Sequence, residues 1–186
     1  NKLASITVSD SNIDVVGNNK RAELLQNVLK RLKRKIKKVI ARELGTGGVL
    51  VVPYINRNKI YFNIITQNRL SINKMIGDDI IDCTIMAEHI VKNRKHYYRW
   101  TDYTLDNNNL YIRYRATLDG ESIEMSLIPE WSNIKDISIT NVDKMPFMYI
   151  KSPIDNRREM DKYGAPITYG CDKQIEKIMK DLEQID

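Results

Sequence analysis

KRAELLQNVLKRLKRKIKKVIARELGTGGVLVVPY, residues 20–54, changes its hydrophobic period partway along. Over Lys20–Leu44, the residues Leu25, Leu29, Leu32, Ile36 and Ile40 recur at i, i+3, i+4 spacing, flanked by Leu24, Val28 and Val39. On an α-helix that spacing makes an apolar arc roughly 160° wide. Lys30, Arg34, Lys37 and Lys38 fall opposite it. Asn19 is the expected N-cap, Glu23 lies in the first turn, and Gly45 can supply the left-handed C′ position. After Gly45-Thr46-Gly47-Gly48 the 3.6-residue rhythm stops, and Val49–Tyr54 reads as a strand.

Strand patterns continue from there: Lys59–Thr66, Ile80–Val91, His96–Thr104, Leu110–Leu118 and Ser122–Ile128 are rich in Ile, Val, Thr and Tyr. Asn56-Arg57-Asn58, Asp106–Asn109 and Asp119-Gly120 separate them at hairpin spacing, which requires antiparallel pairing because parallel strands need longer crossovers. Alternation in His96–Thr104 places Tyr98, Trp100 and Asp102 on one face and Tyr97, Arg99 and Tyr103 on the other. Tyr111, Arg113 and Arg115 return opposite Ile112 and Tyr114, so cross-strand aromatic pairs are expected. From Pro129 the chain loosens, and a last helix is expected from Pro166 to the end, with Ile175, Ile178, Met179, Leu182 and Ile185 as its stripe.

The expected fold class is therefore α+β: a long N-terminal basic amphipathic helix, an antiparallel β-rich body and a C-terminal amphipathic helix. Residues 1–18 read as an N-terminal arm and 19–186 as a single α+β domain. With 42% hydrophobic and 29% charged residues, the 186-residue chain has material for a core and is not disordered as a whole. Charges or Asn interrupt every apolar run well short of the roughly 18–20 residues a membrane-spanning helix needs, so no membrane partner is expected. Asn1–Asp10 show no basic and apolar regions of a signal peptide, and the chain opens without Met, as an excised piece would. Cys83 and Cys171 lie far apart and read as buried, inert thiols of a reducing compartment.

The net charge of +6 is local. Between Lys20 and Leu44 stand ten Lys/Arg and two Glu, so that this segment carries +8 and the rest of the chain −2. Three readings of the cations Lys30, Arg31, Lys33, Arg34, Lys37 and Lys38 stay open: a solvated face, a subunit contact, or a contact with nucleic-acid phosphates. No aromatic residue interleaves with them, which disfavours single-strand stacking.

Catalytic signatures are missing. Gly45–Gly48 follows a helix, whereas a phosphate-binding glycine loop lies between a strand and a helix, and no Lys-Ser/Thr follows. The two histidines, His89 and His96, have no His-Glu-x-x-His context and no acids at ligand spacing, so neither metal nor cofactor is expected, and they read as strand-face imidazoles. There is no Gly-x-Ser-x-Gly and no distinctive carboxylate pair; Asp78-Asp79 after Gly77 reads as a turn.

Pro129-Glu130-Trp131, Pro146-Phe147-Met148-Tyr149-Ile150-Lys151-Ser152-Pro153 and Asn156 resemble a stretch of the portal proteins of tailed double-stranded DNA phages of Gram-positive bacteria. So does Tyr163-Gly164-Ala165-Pro166-Ile167, opening an amphipathic helix that ends Glu183-Gln184-Ile185-Asp186. Upstream the order is similar: a long helix into Gly47-Gly48, then Val51-Val52-Pro53-Tyr54, a turn, a strand from Lys59, and later Tyr97-Tyr98-Arg99-Trp100. These are packing and turn residues. The chain departs at Pro166, where such portals usually carry a small residue such as Ser, and it lacks the stem, clip and crown.

The resemblance implies the wing region of a portal subunit, cut from a longer protein. It implies a homo-oligomeric ring, commonly a dodecamer, at a capsid vertex of the virion, assembled in the bacterial cytoplasm. Its implied partners are double-stranded DNA, the terminase, capsid protein and head–tail adaptor proteins. It implies a structural protein and not an enzyme, since ATP hydrolysis belongs to the terminase. The competing expectation is a freestanding nucleic-acid-binding module that uses the basic helix 20–44.

Overall fold

A computed structural model describes residues 14–154, 156, 162–171, 174 and 177. They include the α-helix Lys20–Thr46 and nine strands, arranged as two compact units, one from residues up to 67 and from 149 onward, the other from 68 to 148. The architecture is α+β with antiparallel hairpins.

In the first unit, α1 (Lys20–Thr46) starts at Asn19, whose side chain accepts from the Ala22 backbone N–H at 2.8 Å. It runs two residues past the expected stop. Gly47, not Gly45, takes the left-handed conformation (φ 85°), and its N–H donates to the Glu43 carbonyl. β1 (Gly48–Asn56) follows without a loop and pairs antiparallel with β2 (Lys59–Thr66) around Arg57 and Asn58, both at positive φ. β9 (Met148–Lys151) completes a three-stranded sheet in the order β2-β1-β9.

The core of this unit is Val39, Val49 and Val51, with Leu32, Phe62, Ile64 and Ile150 packed on it. The buried line of α1 thus runs through Leu32, Val39 and Glu43, to one side of the expected stripe. Leu29, Ile36 and Ile40 are half-buried, and Leu25, part of the expected apolar stripe, is 45% exposed. The reason is the sheet: it meets the C-terminal half of α1, and only Ala22 is buried in the first two turns.

The second unit is a six-stranded sheet in the order β3-β4-β5-β6-β7, with β8 also on β6. Its strands are β3 (Leu70–Ile76), β4 (Asp79–Lys92), β5 (Lys95–Asp106), β6 (Asn109–Leu118), β7 (Glu121–Ile123) and β8 (Ile137–Thr140). Asn93-Arg94, Asn107-Asn108 and Asp119-Gly120 turn its hairpins at positive φ, where Asn and Gly are tolerated best. One face buries Ile72, Cys83, Ile85, Leu110 and Ile112. Trp131 is fully buried on Ala116 and Ile128, and its Nε1–H donates to Glu88, which also pairs with Arg99.

Several local expectations change. The strand expected over Ser122–Ile128 ends at Ile123, and Met125–Leu127 forms a 3-10 turn that lets Ile128 and Trp131 fold inward. β3, β8 and β9 lie where the sequence suggested no strand. Residues 166–171 form turns, with Tyr169 N–H on the Pro166 carbonyl and Cys171 N–H on Thr168, so no helix begins at Pro166. Gln174 and Lys177 are helical; the other residues of the expected C-terminal helix after Cys171, and the arm over 1–13, lie outside the described residues.

Candidate functional site

Two places in the first unit concentrate polar groups, a glycine seam and the outer face of α1. The seam forms where the chain after β9 crosses the end of α1. Ser152 N–H donates to the Gly47 carbonyl at 2.9 Å, and Ile167 N–H donates to Leu44 at 2.8 Å. Gly47 and Gly164 press backbone on backbone, so a Cβ on either would overlap the other's carbonyl. Gln67 holds the seam like a short strand: Nε2 donates to the Gly164 carbonyl at 3.0 Å, and Oε1 accepts from Gly164 N–H at 3.2 Å and from the Tyr149 hydroxyl at 2.7 Å. A Cβ on Gly48 would stand 2.6 Å from both the Gln67 Oε1 and the Tyr149 oxygen. Burial pushes the Tyr149 hydroxyl well above the usual tyrosine range, which keeps it protonated as the donor this contact needs.

The cations of α1 divide into two sets. Pro53 faces Phe62 across the β1–β2 ladder and has no N–H, so Ile60, Phe62 and Ile64 turn their carbonyls outward from edge strand β2. Arg31 Nη1 donates to Ile60 at 3.0 Å, Lys35 Nζ to Phe62 at 2.6 Å, and Arg42 Nη1 to Ile64 at 3.0 Å. Arg31 also lies 5.3 Å over the Tyr61 ring. These three side chains cover an open sheet edge with positive charge, a recognised way of blocking edge-to-edge pairing.

Of the six cations singled out from the sequence, Arg31 is thus committed to β2, and Lys33 pairs with Asp14 at 3.4 Å. Lys30, Arg34, Lys37 and Lys38 are exposed and have no partner among the described residues. The structure brings these four to one face of α1. Sequence reasoning missed Gln67, Lys35 and Arg42. The spacing of Arg31, Lys35 and Arg42, four and then seven residues apart, was the available signal for a second cationic row.

The second unit offers a row of rings on one face of its sheet. His89 stacks on Tyr98 at 4.5 Å, Tyr98 lies 6.3 Å from Trp100, and Arg115 caps Trp100 at 5.2 Å. His96 Nδ1 is 2.9 Å from His89 Nε2, so one imidazole donates to the other on the strand face. The expected aromatic pairing between β5 and β6 is replaced by this cation–π contact, since Trp100 opposes Arg115. Among the described residues no three His, Cys, Asp or Glu side chains converge for a metal ion.

Cys83 is buried, and its thiol is pushed up to about 12 by desolvation with Asp82 and Asp102 nearby. Cys171, expected to be buried, is exposed. No helix among the described residues is long and apolar enough to cross a membrane. No protein-family model matches this chain, and a search of the curated proteins finds no match.

Proposed function

We propose that this chain is a structural, non-catalytic part of a phage portal subunit, its wing, and works in the virion as part of a homo-oligomeric ring. One observation carries the reading. The segments that resemble portals are scattered over more than a hundred residues, yet Gly47-Gly48, Tyr149–Ser152 and Gly164-Ala165 meet in one seam. Residues of a chance resemblance have no reason to pack together; residues of a shared scaffold do. They are also the kind of residue a scaffold requires, glycines at close backbone approach and a tyrosine with a buried hydroxyl.

In this reading double-stranded DNA passes through the ring of the whole protein, the terminase docks on it during packaging, and capsid and head–tail adaptor proteins join it. The reading assigns neither enzyme activity nor cofactor. Negative-stain imaging of the whole protein to which the chain belongs tests it. Rings with a central hole are the expected result. A uniform monomer at high protein concentration overturns the proposal.

A further inference from the structure

We infer that the outer face of α1 is a docking surface for the phosphate backbone of double-stranded DNA, centred on Lys30, Arg34, Lys37 and Lys38. The inference does not rest on the portal reading, because it follows from how the cations of α1 divide. Arg31, Lys35 and Arg42 have carbonyl acceptors and Lys33 has a carboxylate. Of the six others, Lys20 and Arg21 lie in the first turn, and Lys30, Arg34, Lys37 and Lys38 are exposed and have no partner among the described residues.

Their placement is that of a row. Lys30, Arg34 and Lys38 follow one another at i+4 spacing, about 6 Å of helix rise per step, and Lys37 lies beside them. The row is bounded: Asn27 and Glu23 continue the same face toward the N-terminus, and Ala41 and Gly45 toward the C-terminus. Within it there is no acid and no large apolar side chain.

That composition selects the partner. The buried core of a protein–protein contact is enriched in aromatic residues and depleted of Lys, and this face has three lysines and no aromatic residue. Interfaces with DNA are polar and strongly positive. Stacking on single strands needs aromatic platforms, and base reading needs a presented set of amide and guanidinium groups, of which only Asn27 and Arg34 are here. What the face matches is a regular line of fixed negative charges, which a duplex supplies at one phosphate per about 3.4 Å of each strand. Binding is therefore independent of sequence.

Fluorescence anisotropy of the chain with a labelled mixed-sequence duplex, read across a salt series, tests this. Four phosphate contacts give a log–log slope of about −3 to −4, and affinity falls about a hundredfold between 50 and 200 mM salt. Combining Lys30→Gln, Arg34→Gln, Lys37→Gln and Lys38→Gln abolishes that binding. A control that removes the same charge elsewhere, Lys74→Gln, Arg94→Gln, Lys95→Gln and Lys135→Gln, all exposed positions, keeps a steep slope. Circular dichroism melts of both variants confirm that each is folded.

Absence of salt-dependent binding by the unmodified chain overturns the proposal, and so does equal loss in the two variants. Concentration-dependent self-association without DNA that the α1 variant alone abolishes also overturns it, because the face then meets a second copy. Failure of the whole protein to form rings leaves this result untouched, so the two proposals fail separately.

Discussion

The inner and outer sides of α1 are built from the same residue types and behave differently. On the side toward β2, Arg31, Lys35 and Arg42 each find an outward carbonyl. On the outer side, Lys30, Arg34, Lys37 and Lys38 find no partner among the described residues. The inner set satisfies backbone acceptors that an edge strand leaves open, so its charge belongs to the fold. The outer set makes no such contact among the described residues, which leaves its charge facing solvent. A count of lysines and arginines merges the two, and only the register of β2 against Pro53 separates them.

The largest contrast is expected from the seam that ties β9 to the end of α1. Gly164→Ala drives a methyl into the Gly47 backbone carbonyl, which belongs to a cap and cannot rotate away. We expect a loss of about 3 kcal/mol or more, as for overpacking with no room to relax. Urea unfolding measures it. A loss under about 0.5 kcal/mol, the size of an ordinary surface substitution, shows that the seam is loose and breaks the contrast.

Next come the inner cations. Lys35→Met and Arg42→Met keep the aliphatic stems but leave the Phe62 and Ile64 carbonyls without their charged donors. Each is expected to destabilise by about 1 kcal/mol, and together they uncover the β2 edge. Sedimentation of the double variant should show concentration-dependent association absent from the unmodified chain. The corresponding outer substitutions, Lys37→Gln and Lys38→Gln, should stay within about 0.5 kcal/mol. If inner and outer variants melt alike, the carbonyl contacts do not hold the edge.

Much of this fold was legible in the sequence because its signals are local. The period change across Gly45–Gly48 and the short Asn- and Gly-containing turns mark the helix, β1, β2 and the β4-β5-β6 meander. β3 was hidden because LSINKMI mixes polar residues on both sides of an exposed edge strand, with a register shift between Ile72 and Lys74. β8 and β9 were hidden because each is four residues long, and every residue of β8 is exposed. The candidate surface was legible only as a basic run. Its division depends on which strand lies at the sheet edge and which carbonyls point outward, and neither is written within α1. Gln67 carried no signal, because its role is to meet Gly164 from nearly a hundred residues away.

The smallest expected effect lies on the buried line of α1 and sharpens the comparison through pH. Glu43 is 6% exposed, and burial raises its carboxyl above the usual value of 4.5. A raised folded value means the folded state holds the proton longer than the unfolded chain does. Glu43 therefore opposes folding least below pH 4.5, and stability falls as pH rises from there through the raised value. Glu43→Gln removes that titration while keeping the shape. Its melting temperature should match the unmodified chain near pH 4 and exceed it at pH 7. A Glu43→Gln curve parallel to the unmodified chain at every pH would mean that the carboxylate reaches water, and that the inner side of α1 is wetter at its C-terminal end than its neighbours Val39 and Val49 suggest.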